Sequence, residues 1–389
     1  MKTYIVKLNQ FAVMTGMALS GIGSSAFTPA NALTFNFTST DVALQQAIDG
    51  SAAPGSSQAL AANGFKAAGS RWSSLFTNNV NININIEFKP LDPNVLGQAD
   101  FTIQNFSYAQ VYNALSNHQS SNDDRNAVGQ LSSSPALSRL INYTANNPNG
   151  SGSSTPYVYR ADPASLVMGL SSANAKALGL AATGVTDASI TFNSDFSFDF
   201  EPTDGISANT IDFVGLATHE IGHSLGFNSG VDILDTNIPP ANPNGPFNDS
   251  AFKFVTPLDL FRYSAQSTAL GTSDWTADTR DKYFSLDGGA NSIASFATGV
   301  NFGDKRQASH WKDELGIGIM DPTFAYGELG VISQTDIRAF DVIGWSRADA
   351  AVAVPEPANF IGTFIFAAFG AKMVLKRRKE LFKSVEKAA

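Results

Sequence analysis

The 389-residue sequence contains no cysteine and only 4 histidines. Without cysteine the chain has no disulfides and no thiolate metal ligands, and a propeptide thiolate that caps a metal is excluded as well. If the chain is exported, its fold must therefore be stable without disulfide crosslinks. The length is sufficient for a large core and for up to two domains.

Positive charge is also scarce in the central part of the chain. Residues 33–354 keep 16 of the 25 basic residues and 31 of the 34 acidic ones, which gives a net charge of −15. This balance argues against nucleic acid or anionic lipid as a partner of this part. Most of the acids are aspartate, so bound calcium is an open alternative, but no EF-hand pattern is present and a solvated acidic surface is favoured.

Two of the histidines stand four residues apart, in His219-Glu220-Ile221-Gly222-His223. Residues i and i+4 lie on one face of a helix, so both imidazoles can reach one metal ion. Glu220 projects about 100° away from His219 around the helix axis, where it can hold a metal-bound water. This is the HExxH arrangement of zinc hydrolases, and composition alone produces it in about one such chain in a thousand. The motif predicts a zinc site with Glu220 as its base.

The motif leaves the third ligand open. His118 lies in a polar run that predicts a surface turn far before the helix, whereas His310 precedes Met320 by ten residues. Zinc also accepts carboxylates, and a catalytic site commonly uses three protein ligands. The carboxylates that compete with the two histidines follow the helix or follow His310: Asp232, Asp235, Asp313 and Glu314.

Gly226 extends the motif to HExxHxxG, and a methionine follows downstream. This combination resembles the metzincin clan of zinc peptidases, and a third His shortly before the methionine is similar to its leishmanolysin-like branch. The resemblance covers roughly Ile190 to Trp345. Metzincins usually carry the third ligand at the position of Ser229, and a serine hydroxyl is a poor zinc ligand. Residue by residue the resemblance implies three metal ligands, a base and a methionine beneath the metal: His219, His223 and His310, Glu220, and Met320.

The metzincin resemblance also implies a fold. We expect an α+β protein with a twisted mixed sheet, an active-site helix and a C-terminal subdomain. Metzincins pair extended substrate with a sheet edge near the residues before the active-site helix, so Ile190–Phe192 and Phe196–Phe200 are expected either at that edge or in a core hairpin. Hydrophobic periodicity and caps predict further elements: helices over Ala59–Phe76, Ser107–Ser116 and Ser171–Leu180, a strand over Val80–Phe88, and a last helix capped by Ser333.

The two ends of the chain carry targeting signals. Residues 1–32 have a basic start, an apolar stretch and a small-x-small site before Leu33, which predicts a secretory signal peptide. Residues 354–389 begin with Val-Pro-Glu-Pro and continue with an apolar stretch from Ala358 to Leu375, which the basic cluster at 376–379 follows. This order resembles the PEP-CTERM sorting signal of bacterial envelope proteins, which implies an exosortase-type partner; an ordinary membrane anchor is the alternative.

The predicted organisation has five parts: the signal peptide 1–32, an N-terminal helical segment or propeptide 33–78, a zinc metallopeptidase domain 79–346, a linker 347–353 and the sorting signal 354–389. We predict an exported zinc endopeptidase, anchored at the cell envelope or extracellular, that hydrolyses protein or peptide substrates with a zinc-activated water. A surface or extracellular-matrix binding protein on a metallopeptidase scaffold is the alternative, and a zinc hydrolase of non-peptide substrates is a third. Tyr326 is a candidate for oxyanion stabilisation or for simple packing.

Overall fold

The computed structural model describes residues 3–8, 33–163, 166–180 and 186–348, and for residues 3–8 the backbone alone. The strands are β1 Thr3–Leu8, β2 Thr34–Thr38, β3 Asn81–Lys89, β4 Val95–Phe101, β5 Ile103–Ser107, β6 Ser138–Ile141, β7 Tyr157–Arg160, β8 Val167–Ser171, β9 Ala188–Asn193, β10 Phe198–Asp199, β11 Ile211–Asp212, β12 Arg262–Tyr263, β13 Ser273–Asp274, β14 Lys282–Phe284, β15 Ala294–Phe296 and β16 Thr323–Phe324. The α-helices are α1 Val42–Ile48, α2 Ser57–Ser73, α3 Tyr108–Asn117, α4 Asn122–Gly129, α5 Ser172–Ala177, α6 Phe213–Leu225, α7 Val231–Asp235, α8 Ala265–Ala269 and α9 Gln334–Val342.

A six-stranded mixed sheet carries the site. Its order is β16-β1-β4-β9-β3-β2. Strands β2, β3 and β9 are parallel to one another, whereas β4 runs antiparallel to β9. Strand β1 lies between β4 and β16, antiparallel to the first and parallel to the second. The strict alternation in β3 buries Ile82, Ile84 and Ile86 on one face, as expected of a strand with one face in the core.

Helix α6 lies at the centre of the fold, and all of its residues are buried. Helix α2 packs against it, and the rings of Phe65, Phe192 and Phe213 join α2, β9 and α6 in one aromatic cluster. Two indole N–H groups donate to backbone carbonyls of α6: Trp72 to Thr218 at 2.9 Å and Trp345 to Leu225 at 2.9 Å. The segments before and after α6 therefore both hold this helix.

The residues that follow α6 form smaller sheets. Strands β12, β14 and β15 make one, and β13 pairs with β6 from an earlier part of the chain, which in turn pairs with β7. A further pair joins β5 to β8. The last described residues return to the region after α2, because Thr77 N–H donates to Ser346 O and Ala348 N–H donates to Leu75 O. The folded unit thus extends past residue 346.

The α+β class is confirmed, and most of the predicted elements form. The helix expected over Ala59–Phe76 is α2, and the strand over Val80–Phe88 is β3. Strand β9 lies inside the sheet between β4 and β3, and β10 pairs with β11. Of the two alternatives for Ile190–Phe192 and Phe196–Phe200, the substrate-pairing edge was therefore wrong, and the core position of Ile190–Phe192 is confirmed without the hairpin. The polar run after His118 was predicted as a surface turn, but its later part forms helix α4, because Ser121 and Asp124 make a reciprocal capping box.

Segment 33–78 contributes β2 and α2 to the sheet and to the packing around α6. Within the signal peptide predicted at 1–32, only strand β1 is described. The predicted sorting signal at 354–389 and nearly all of the linker lie outside the described residues. No helix among the described residues is long and apolar enough to cross a membrane.

Candidate metal centre

Helix α6 sets the positions of His219 and His223. Its N-cap is Asp212, whose side chain accepts a hydrogen bond from Gly215 N–H at 2.8 Å. It ends at Gly226, which has φ 117°, a left-handed conformation that glycine adopts without a Cβ penalty. The two imidazoles lie one turn apart with ring centroids at 4.7 Å, and their Nε2 atoms are 3.0 Å apart.

His310 comes from a loop that follows β15. Its carbonyl accepts a hydrogen bond from Ala297 N–H at 3.0 Å. Its Nε2 lies 3.1 Å from Nε2 of His223, and its ring stacks on His219 with centroids 5.2 Å apart. Ring nitrogens of the three histidines all lie within 4.8 Å of one another, and all three residues are buried. The structure therefore brings together the three histidines that the sequence indicated, and this cluster could hold a metal ion.

Backbone carbonyls fix the orientation of the rings. Nδ1 of His219 lies 2.7 Å from Ile319 O, Nδ1 of His223 lies 2.8 Å from Phe227 O, and Nδ1 of His310 lies 3.3 Å from the carbonyl oxygen of Gln307. A carbonyl only accepts, so each Nδ1 carries the proton and each Nε2 presents a lone pair to the other two. Such facing lone pairs repel unless a cation lies between them.

Burial keeps these imidazoles neutral. It lowers the pKa of His219 to about 4 and holds the pKa of His223 and His310 well below the usual range; for the latter two, neighbouring histidines lower it further. Neutral imidazole is the ligand form that zinc needs. Zn–N bonds in tetrahedral geometry place two ligand nitrogens about 3.3 Å apart, close to the 3.0 and 3.1 Å observed. The donor set thus fits zinc.

Glu220 is fully buried beside this cluster. Among the described residues, neither of its carboxyl oxygens has a hydrogen-bond partner. Burial raises the pKa of Glu220 well above its usual value, and Asp100 raises it further. A side chain on Gly97 of β4 would begin 3.4 Å from Oε1 of Glu220. An orphaned, desolvated carboxyl group next to three convergent lone pairs is suited to a water molecule or an ion.

The competing residues lie in other interactions. Ser229 donates its hydroxyl to Asp259 at 2.6 Å. Asp232 accepts hydrogen bonds from the residues just before His310, and Asp235 accepts from the backbone of Asn301 and Phe302.

Asp313 pairs with Arg306 at 2.6 Å, and Glu314 is exposed. His118 caps the end of α3 and is not part of the histidine group. Tyr326 is 40% exposed.

Two carboxylates have supporting roles at the site that the sequence did not indicate. Asp336 of α9 accepts hydrogen bonds from the N–H of Ile319 at 2.8 Å and from the indole of Trp311 at 2.8 Å. It thereby holds the two segments that position His219 and His310. Asp259 accepts from Ser229 and Gly230 just after the helix. Their part in positioning the site follows only from hydrogen bonds to residues far away in the chain.

Comparison of the chain with protein-family models, with curated proteins and with solved structures gives no match.

Proposed function

We propose that the protein is a zinc-dependent hydrolase. The observation that supports this best is the convergence of three neutral Nε2 atoms beside the buried carboxyl group of Glu220, which has no hydrogen-bond partner in the described part of the chain. Within that class we propose an endopeptidase of the metzincin type. The HExxHxxG motif, the distant third histidine and the methionine beneath the helix all support this assignment.

The setting of strand β1 supports a peptide as the substrate. This strand runs between β4 and β16 and pairs with both. Its neighbours border the site, since Val6 is opposite Gly97, next to Glu220, and Leu8 is opposite Phe324, whose ring lies 6.0 Å from that of His219. An extended chain thus passes beside the candidate centre, hydrogen-bonded on both sides. If residues 1–32 are removed as a signal peptide, the slot is free for an extended substrate.

Each group of residues at the site has its own role in the proposed hydrolysis. The three histidines hold the ion as neutral ligands, and strands β4 and β16 orient the backbone of the peptide. Zinc, when bound, lowers the pKa of water and polarises a carbonyl. Glu220 accepts the proton of the attacking water at a carboxyl oxygen and delivers it to the leaving amine. Glu220 is fully buried, so bulk water does not compete for its carboxyl oxygens.

Metal analysis and peptide cleavage on purified residues 33–353 test the proposal. We expect about one zinc per chain and hydrolysis of casein or gelatin that a chelator abolishes and added zinc restores. His310→Ala should lose zinc and activity, whereas His118→Ala should change neither. Stoichiometric zinc without cleavage of any peptide would favour the matrix-binding alternative. Zinc retained by the His310 variant after dialysis would assign the third ligand to a carboxylate.

The proposal includes export and envelope anchoring, which rest on the predicted signals at the two ends. Truncation before Val354 should release the body as soluble protein. A truncated form that stays in the membrane fraction would require another anchor.

A further inference from the structure

We propose that Asp232 is a positioning residue for the third metal ligand, His310, and that it acts together with Ser229 through the hydroxyl of Ser309. This inference rests on the proposed function, because it concerns the geometry of the same centre. It assigns a role to two residues after the active-site helix that neither bind the metal nor take part in proton transfer.

The carboxylate of Asp232 binds two consecutive residues directly before His310. Its Oδ1 accepts the N–H of Ala308 at 2.6 Å, and its Oδ2 accepts the hydroxyl of Ser309 at 2.5 Å. The two bonds attach this carboxyl group to the peptide at two points, one on the backbone and one on a side chain. Asp232 therefore fixes the position and the orientation of the Ala308–Ser309 peptide, which directly precedes His310.

Ser309 is also bound from the other side. Its Oγ accepts the N–H of Ser229 at 2.8 Å, while the hydroxyl of Ser229 donates to Asp259 at 2.6 Å. Ser309 and Ser229 are 80 residues apart in the chain. The position at which a metzincin usually carries its third ligand is thus used to bind the segment that supplies the ligand from elsewhere.

His310 needs this support more than the other two ligands do. His219 and His223 lie on a helix and have Nδ1 contacts of 2.7 and 2.8 Å, whereas the Nδ1 contact of His310 is 3.3 Å long. A ligand on a loop with a long outer contact depends on its backbone for orientation. Buried Arg262 assists on the far side, since it donates to the carbonyls of Ala297 and Ala308.

The test compares Asp232→Ala with Asp235→Ala in the full chain. Asp235 is a matched control: it is an acidic residue of the same short helix α7, and its carboxylate likewise binds two consecutive residues of a distant loop, through the backbone N–H groups of Asn301 and Phe302 at 2.8 and 2.9 Å. We would measure zinc affinity by competition with a chromophoric chelator, the visible spectrum after cobalt substitution, and the Tm of the metal-free protein.

Asp232→Ala should weaken zinc affinity about 10–100-fold and alter the cobalt spectrum, whereas Asp235→Ala should leave both unchanged at a similar loss of Tm. Ser309→Ala, which keeps the bond between Asp232 and Ala308 N–H, should weaken zinc affinity to a smaller extent. It provides the test if Asp232→Ala does not fold.

Wild-type affinity and spectrum in the Asp232 and Ser309 variants, or equal weakening in the Asp235 variant, would overturn the inference. A wild-type chain that binds no zinc would instead overturn the proposed function, and this inference with it; zinc binding without peptidase activity would leave the comparison intact.

Discussion

The Sδ atom of Met320 lies 2.5 Å from the point where a side chain on Gly222 would begin. Gly222 stands directly before His223 on helix α6, so the methionine packs against backbone that carries no side chain at this turn. The indole of Trp72 lies 3.4 Å from the same point. Helix, methionine and indole are in close contact here because this turn carries no side chain.

Gly222→Ala should therefore destabilise the protein in spite of the higher helix propensity of alanine. Overpacking in a filled core costs about 1–3 kcal/mol, and Met320 or the helix must move. Urea unfolding measures the change. Gly129→Ala in α4 is the control, since nothing lies within 4 Å of its would-be Cβ and it should be neutral or slightly stabilising. Equal stability of the Gly222 variant and the wild type would contradict this packing.

Glu220→Ala should keep the metal and lose most hydrolysis. No other described side chain bonds to this carboxyl group, so its removal leaves the histidine ligands in place. The loss of a general base costs about 10²–10⁴-fold in rate, measured as kcat/KM on a peptide with zinc content determined in parallel. Glu201→Gln, at an exposed position, should retain full activity. Near-wild-type turnover by a zinc-loaded Glu220 variant would assign the base elsewhere.

Residues 33–78 should be required for a folded protein. Trp72 is fully buried, donates to Thr218 O at 2.9 Å and packs on the ring of Phe340 with centroids 4.6 Å apart. Trp72→Ala should lower the free energy of unfolding by about 3–5 kcal/mol, whereas Val42→Ala, at a residue 73% exposed, should have little effect. A folded, active protein that begins at residue 79 would show instead that this segment is a dispensable propeptide.

Asp341 should make stability depend on pH. Burial and then the charge of Asp124 raise its pKa to about 7, although its Oδ2 accepts the hydroxyl of Ser121 at 2.5 Å. The folded state thus keeps a proton that the unfolded chain releases near pH 4. This group therefore favours folding most at low pH, and stability falls as the pH rises through 7.

Asp341→Asn should remove this decline, which is on the order of 1–3 kcal/mol between pH 5 and pH 8. Denaturant unfolding at the two pH values measures it. Asp281→Asn, at a side chain 84% exposed, should keep the wild-type decline. An unchanged pH dependence in the Asp341 variant would place the proton on another group.

The sequence predicted the parts of the centre that depend on local spacing. His219 and His223 follow from the helical period, and the scarcity of histidine left few candidates for a third nitrogen ligand. Strand β4 was not predicted, because Gly97, Gln98 and Asp100 break its apolar alternation. Its place beside Glu220 depends on pairing with β9, more than eighty residues away in the chain.

The supporting carboxylates could not be predicted for the same reason. The sequence indicated Asp232 only as a possible zinc ligand and did not link Asp259 or Asp336 to the site, yet each accepts several hydrogen bonds from distant segments. Helix α4 was not predicted because it has too few apolar residues to show helical periodicity. Its formation depends on the cap at Ser121 and on contacts with α9, such as the ion pair between Arg338 and Asp123 at 2.7 Å.

The two indoles that bond to helix α6, those of Trp72 and Trp345, become available at different times during synthesis of the chain. The Trp345 indole reaches Leu225 O across 120 residues of chain, and synthesis delivers residues from the N-terminus onward. Until Trp345 has been synthesised, helix α6 has only one of these two hydrogen bonds, the one from Trp72. His310 and Met320 are themselves added to the chain only shortly before Trp345. The histidine cluster is therefore held in its final geometry only after residue 345 has been synthesised, and the hydrolysis that we propose would begin only after that point.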